Sequence, residues 1–356
     1  MDANLSQTIQ LGSYDVEKGR SSISGLSSGA FMTVQLHLAH SASFIGAGII
    51  AGGPFRSAES FRGAAPGADD ATVLTAEYVC MNPLTPQVAP NAARLAQLAR
   101  DTAAAGEIDP IANLADDRLF IFTGSADKVV FSDVVARTRA FYELLGVHRT
   151  NIVYQDNVPA GHSIITDNPE DSPLSTNQPP YINNGGFMLS HDIIRHIYGP
   201  GRLNSPSERL TGRLLRFDQT EFFDNQPRSS MSPYAYAYIP RSVEEGAKAR
   251  VHIVLHGCKQ GYNYTNFLLG RADIADQPPY GNRYVTTTGY NSIADSNDII
   301  VLYPQVQGSD GGSMQNPDGC WDWWGYSCED PSRLDYYGKK AIQISAIHRM
   351  LSRLGG

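Results

Sequence analysis

Short apolar runs alternate with helical stretches from residue 20 to 165, and the second half returns to the same style, which predicts an α/β protein with a mainly parallel sheet and helices on both faces. Three observations carry this reading. The apolar runs are strand-length, the stretches between them repeat at helical spacing, and GLSSG at 25–29 stands where one turns into the other. SSIS enters that turn, and FMTVQLHLA leaves it with Phe31, Val34 and Leu38 at helical spacing. FIGAGIIAGG then reads as a buried strand, NAARLAQLARDTAAA as a helix, RLFIFTGSAD as a strand and its loop, DVVARTRAFYELLG as a helix, and NIVYQDNVPAGH as another strand and loop. Residues 166–184, rich in Pro, Asn and Asp, read as a long surface loop, and GFMLSHDIIRHIYG as a helix stopped by Gly199 and Pro200.

The alternation in RLLRFDQTEFF and SPYAYAYIP predicts antiparallel strands at a sheet edge. ARVHIVLHG is a buried strand with a glycine exit, TTGYNSIADSN a helix, and DIIVLYPQ a second buried strand. KKAIQISAIHRMLSRL places Ile344, Ile347, Leu351 and Leu354 on one helical face. With no internal repeat or heptad array, residues 1–356 read as one domain.

Composition narrows the function. Of 356 residues, 42% are hydrophobic and 18% charged, as in an ordinary soluble globular protein. A net charge of −8 without any basic run excludes the footprint of a nucleic-acid binder. No apolar run approaches the roughly 18 residues of a membrane span, so no membrane partner is expected. MDANLSQTIQLGSYDVEKG has neither a charged n-region nor an apolar h-region, which fits a cytoplasmic chain or an exported one whose signal has been removed. Cys80, Cys258, Cys320 and Cys328 lack zinc spacing and there is no HExxH, so no metal is expected. One or two disulfides fit these cysteines as well as free thiols do.

GLSSG matches the G-x-S-x-G nucleophile elbow. Its bland alternative is a Ser/Gly turn capping a helix, but Gly25 and Gly29 are placed to let strand and helix approach closely. Ser27 would carry the nucleophilic oxygen, and Ser28 would offer a backbone N–H to an oxyanion at the helix N-terminus. A serine needs a base and the base an orienting carboxylate, and the chain supplies Asp127 in TGSAD and then His162 in PAGHS, each in a loop after a strand. Asp133, Asp156 and Asp167 compete less well, since none follows a buried strand through so short a glycine turn. His37, His40, His191, His196 and His348 fall on helices, His148 ends one, and His252 lies within a strand.

His256 and Gly257 follow a buried strand, where such folds supply the second oxyanion amide. Cys258 is the expected donor, with His256 shaping the loop. This strand comes far after the elbow, whereas the usual order is the reverse; the reading is therefore a circularly permuted α/β-hydrolase fold, acceptable if the termini adjoin. NPDGCWDWWGYSCED gathers Trp321, Trp323, Trp324 and Tyr326 beside a Gly/Pro-rich loop. At least one of these rings belongs to the core, and Trp323, Trp324 and Tyr326 are candidates for an apolar substrate crevice. Cys320 is the candidate disulfide partner of Cys258, which leaves Cys80 and Cys328 paired or free. NYT at Asn263 is a glycosylation sequon of little weight.

SISGLSSGAFM, AGGP, FTGSADKVV, HIVLHGCKQ, GYNSIADSNDIIVLYPQ and NPDGCWDWWGY, in that order, resemble the circularly permuted single-domain poly(3-hydroxybutyrate) depolymerases over nearly the whole chain. The resemblance implies an extracellular serine esterase that cleaves short-chain polyhydroxyalkanoate esters in a surface crevice without a cofactor. It implies Ser27, Asp127 and His162 as the triad and the amides of Ser28 and Cys258 as the oxyanion hole. Tyr326 stands where a crevice tryptophan is expected. The cysteine complement is smaller than the resemblance implies, with Cys80 lacking a partner, and insertions near 56–76 and 259–285 would reshape the crevice. Adsorption to a polymer would use the catalytic domain's own surface, and a monomer is the expectation. The alternatives are a feruloyl, acetyl-xylan or general short-acyl esterase, and a non-catalytic carbohydrate or polymer binder.

Overall fold

The computed structural model describes residues 7–61, 72–199, 201–224, 226–262, 282–308, 316–330 and 332–356. Its nine-stranded sheet is built from β1 (Thr8–Ile9), β2 (Ser21–Leu26), β3 (Phe44–Ile50), β4 (Arg118–Phe122), β5 (Ile152–Gln155), β9 (Arg213–Asp218), β10 (Tyr234–Ile239), β11 (Arg250–Leu255) and β12 (Ile299–Tyr303). The order is β1-β9-β10-β12-β11-β2-β3-β4-β5. From β12 to β5 every pairing is parallel. The strands β9 and β10 pair antiparallel with each other, and β10 antiparallel with β12, as their alternating pattern predicts. Parallel strands covered on both faces carry near-continuous apolar runs, which explains why FIGAGII, RLFIF and IIVLY read so plainly.

Ten α-helices are found among the described residues: α1 (Ser28–Ala39), α2 (Thr72–Tyr78), α3 (Ala92–Ala104), α4 (Ser132–Leu145), α5 (Leu189–Tyr198), α6 (Gln226–Ser229), α7 (Arg241–Glu244), α8 (Arg283–Thr287), α9 (Tyr290–Asp295) and α10 (Ile342–Leu354). Strand alternation on β2 shows that both faces are covered. Ser24 meets Tyr290 of α9, whereas a Cβ on the next residue, Gly25, would collide with Gly29 of α1. All twelve residues of α1 are buried. The predicted stripe of α10 is fully buried at Ile344, Ile347, Leu351 and Leu354, worth roughly 1.5–3 kcal/mol for each side chain as an upper bound.

Strand β2 departs from the apolar pattern, because Ser22 and Ser24 hydrogen-bond to the two ring nitrogens of His252 on β11 at 2.7 and 2.8 Å. The hydroxyls of Tyr198 and Tyr290 extend the chain at both ends. The segment before β2 lies against α10: the N–H of Tyr14 donates to the carbonyl of Leu354 at 3.0 Å.

Two expectations are corrected. Residues 166–184 are not simply a surface loop: a second sheet of β6 (Ile164–Thr166), β7 (Ser172–Pro173) and β8 (Ile182–Asn184) runs through them, with a cis peptide between Pro179 and Pro180. Asn183 holds it by donating to the carbonyls of Leu174 and Thr176. TTGYNSIADSN is not a single helix, because Gly289 at φ +82° separates α8 from α9. The edge strand β1 was not foreseen. Asn263 and most of the two inferred insertions lie outside the described residues.

Candidate active site

Ser27 sits at the junction of β2 and α1 with φ 57° and ψ −124°, a conformation that strains any residue with a Cβ. The turn is over-determined. The N–H of Ser27 donates to Ile50 on β3, and its carbonyl accepts from Ala30 and Phe31 as α1 begins. A Cβ on Gly29 would overlap the carbonyls of Leu255 and His256, so the second residue of α1 must be glycine.

Two loops at the same end of the sheet bring up the other predicted residues. Asp127 follows β4; its Oδ1 accepts from the amides of Val129 and Val130 at 2.8 and 3.0 Å. Its Oδ2 lies 2.8 Å from Nδ1 of His162, and both side chains are buried. A carboxylate only accepts, so Nδ1 of His162 is the donor in this bond and Nε2 is the ring nitrogen left to face the cleft. The competing carboxylates lie elsewhere: Asp133 is in the first turn of α4, and Asp156 and Asp167 are exposed. The ring of Tyr181 meets His162 edge-on at 5.4 Å.

The loop after β11 closes against the elbow. A Cβ on Gly257 would come within 3.2 Å of Cβ of Ser27, and its N–H donates to Gln260 Oε1 at 2.6 Å. His256 is buried, with Nδ1 bonded to the Gly257 carbonyl and Nε2 accepting from the Val306 amide at 3.1 Å. Desolvation pulls its pKa down to about 4, so it is neutral and shapes the loop. Cys258 and Cys320 form the expected disulfide, while Cys80 and Cys328 are free and buried. Beside that disulfide the Lys259 amide donates to the Asp318 carbonyl at 2.7 Å.

Ser27, Ser28, His162 and Cys258 all line one cleft of about 370 Å3, together with Leu26, Phe31, Trp323 and Trp324. Trp323 stacks on Phe31 at 3.9 Å, and Trp324 meets Trp323 edge-on. Trp321 is the core ring of the trio, fully buried. The crevice role expected of Tyr326 is corrected: it does not line the cleft, because its hydroxyl is drawn inward to the Cys320 carbonyl, Asn316 and Gln343. The turn that sorts these rings is organised by Asp322, whose carboxylate accepts from the amides of Trp324, Gly325, Tyr326 and Ser327.

Two residues were missed by sequence reasoning. Gln260 links the Gly257 amide to the Pro180 carbonyl, and Asn177 bonds the backbone beside Asp127 and at His162. Asn177 belongs to no periodic pattern or motif, and Gln260, though it ends the segment HIVLHGCKQ, was given no role there. No group of three or more His, Cys, Asp or Glu side chains suited to a metal occurs among the described residues.

A mainly parallel sheet, a serine on a left-handed strand-to-helix turn and a buried histidine–carboxylate pair across one cleft define an α/β protein of the hydrolase type. No family model matches the chain. A poly(3-hydroxybutyrate) depolymerase of Delftia acidovorans is 34% identical over 349 residues, covering 97% of this chain and 62% of that protein's length. A polyhydroxybutyrate depolymerase of Talaromyces funiculosus is 29% identical over 95% of this chain and 88% of its own. The crystal structure of the PHB depolymerase from Penicillium funiculosum aligns with a TM-score of 0.79 at 28% identity, covering 97% of this chain and 98% of that one. A serine-to-alanine variant of a PHB depolymerase complexed with an R3HB trimer aligns over the same shares, with a TM-score of 0.78 at 27% identity. The chain is thus similar over nearly its whole length to poly(3-hydroxybutyrate) depolymerases, and it spans less than two thirds of the length of the Delftia acidovorans protein.

Proposed function

We propose that the protein is a carboxylic ester hydrolase acting on poly(3-hydroxybutyrate) or related short-chain polyhydroxyalkanoates, with Ser27, His162 and Asp127 as its triad. The observation that carries the reading is the 2.8 Å bond from His162 to Asp127 in the cleft that Ser27 enters from a strained turn. Nε2 of His162 takes the Ser27 proton as Oγ attacks the ester carbonyl. The amides of Ser28 and Cys258 receive the oxyanion. Collapse expels the alcohol, which takes the proton from His162 and leaves an acyl-Ser27 ester. Water, deprotonated by His162, then attacks that ester, and a hydroxyacid or its oligomer leaves with Ser27 restored.

The aromatic wall of Trp323 and Trp324 would hold the acyl chain. An extracellular setting suits the Cys258–Cys320 disulfide. The strand order, with β11 beside β2, supports reading the fold as circularly permuted in a single catalytic domain.

Chromatography of products after incubation with amorphous poly(3-hydroxybutyrate) tests the proposal. Release of 3-hydroxybutyrate or its oligomers is expected, with none from Ser27→Ala, and a fluorophosphonate adduct should map to Ser27. Turnover confined to p-nitrophenyl butyrate or feruloylated xylan would refute the polyester assignment, and full activity of Ser27→Ala would refute the mechanism.

A further inference from the structure

From the geometry around residue 177 we infer that Asn177 is a positioning residue for the His162–Asp127 pair, a role that rests on the triad reading above. One side-chain amide here makes four hydrogen bonds. Its Oδ1 accepts from the backbone N–H of Lys128 and of His162, both at 2.9 Å. Its Nδ2 donates to the carbonyls of Ala126 and Ser175 at 3.0 and 3.1 Å. Ala126 and Lys128 flank Asp127, so the amide grips the acid loop on both sides of the carboxylate and the base at its own backbone. The orientation of the amide is fixed by these partners, since the opposite flip would set NH2 against two N–H donors and the oxygen against two carbonyls.

The two loops are already laced by backbone bonds from Ser125 to Val158 and from Ala126 to Ala160, but these stop short of His162. Asn177 supplies the missing tie. The second sheet holds it in place. The Gly161 amide donates to the Leu174 carbonyl, and a Cβ on Gly161 would overlap the carbonyls of Ser175 and Thr176, so this segment lies directly on the histidine loop. Asn183, fully buried, fixes Leu174 and Thr176 from the other side. The Pro- and Asn-rich stretch is thereby part of the apparatus that sets the distance between acid and base, and only an amide with two acceptor and two donor directions satisfies all four backbone groups.

The test compares the wild type with Asn177→Asp, which keeps the shape but loses both donors, and with Asn177→Ala. Active sites are counted by fluorophosphonate titration, and kcat and KM are measured on p-nitrophenyl butyrate per titrated site. A loop displaced by about 1 Å costs up to about 100-fold in rate, so kcat per site should fall about 10- to 100-fold while KM holds. The downfield proton resonance of Nδ1 of His162 should shift or vanish in both variants, a signature that a merely structural role would not move. An unchanged kcat per site with an unmoved resonance overturns the proposal. A wild type that takes no label at Ser27 overturns the esterase reading itself, and this inference with it. If neither variant folds, hydrogen exchange in the wild type decides: the amides of Lys128 and His162 should be strongly protected despite lying in loops, and fast exchange overturns the clamp.

Discussion

His252 lies at the centre of the sheet, fully buried, with both ring nitrogens used by serines of the neighbouring strand. Burial holds its pKa near 3, against 6.5 when exposed. Below pH 6.5 the unfolded chain takes up a proton at this ring that the folded chain refuses, so stability falls as pH drops and recovers as it rises. At pH 5 the difference is about 1.5 pKa units at about 1.36 kcal/mol each, or about 2 kcal/mol. His256, held near 4 by the same cause, adds about as much, and His40, His191, His196 and His348 are shifted in the same direction. Urea unfolding followed by tryptophan fluorescence should therefore show a loss of about 4 kcal/mol or more between pH 7.5 and pH 5, a window in which ordinary carboxylates barely titrate. His252→Gln isolates one ring: it is less stable than wild type at pH 7.5, and its deficit should shrink by about 2 kcal/mol at pH 5. A deficit that is the same at both pH values would refute the argument.

Removing the Cys258–Cys320 bridge by a double serine substitution frees a 62-residue separation and should cost about 4 kcal/mol on the chain-entropy account, measured by thermal or urea unfolding. Cys80 and Cys328 are buried, and burial pushes the Cys80 thiol up to about 12; a thiol reagent should leave both unlabelled in the native protein and react with both after unfolding, and rapid native labelling would contradict the packing. Tyr326→Phe strips a hydroxyl from three buried partners and should cost about 1–3 kcal/mol of stability with KM on a soluble ester unchanged. Trp324→Ala should do the reverse, raising KM on oligomeric esters about fivefold for roughly 1 kcal/mol of lost ring contact while the unfolding midpoint stays put.

The triad candidates were legible because each stands at the end of a parallel strand, in a turn whose glycines announce it: Gly25 and Gly29 around Ser27, Gly124 before Asp127, Gly161 before His162. Strand and helix periodicity did the rest for the sheet and for α10. The second sheet was illegible for the opposite reason. Its strands are two or three residues long, so although Ile164, Ile165 and Ile182 are buried no period exists to be read, and Asn183 supplies hydrogen bonds that no pattern announces. Asn177 hid inside it as one more polar residue of a polar loop. Tyr326 was misread because adjacent aromatics share a composition but not a direction, and the direction is set by the Asp322 carboxylate gathering four amides into one turn.

The pairing of β2 with β11 bears on how the chain is made. During synthesis the nucleophile strand emerges before its partner, and one edge of it stays open until residues 250–255 leave the ribosome. Until then Ser22 and Ser24 have no imidazole to bond. The middle of the sheet is thus sealed by a pairing between residues 230 apart in sequence, a contact of high order that is slow to form. A truncated chain ending before β11 would carry an uncovered parallel edge, a ready template for aggregation.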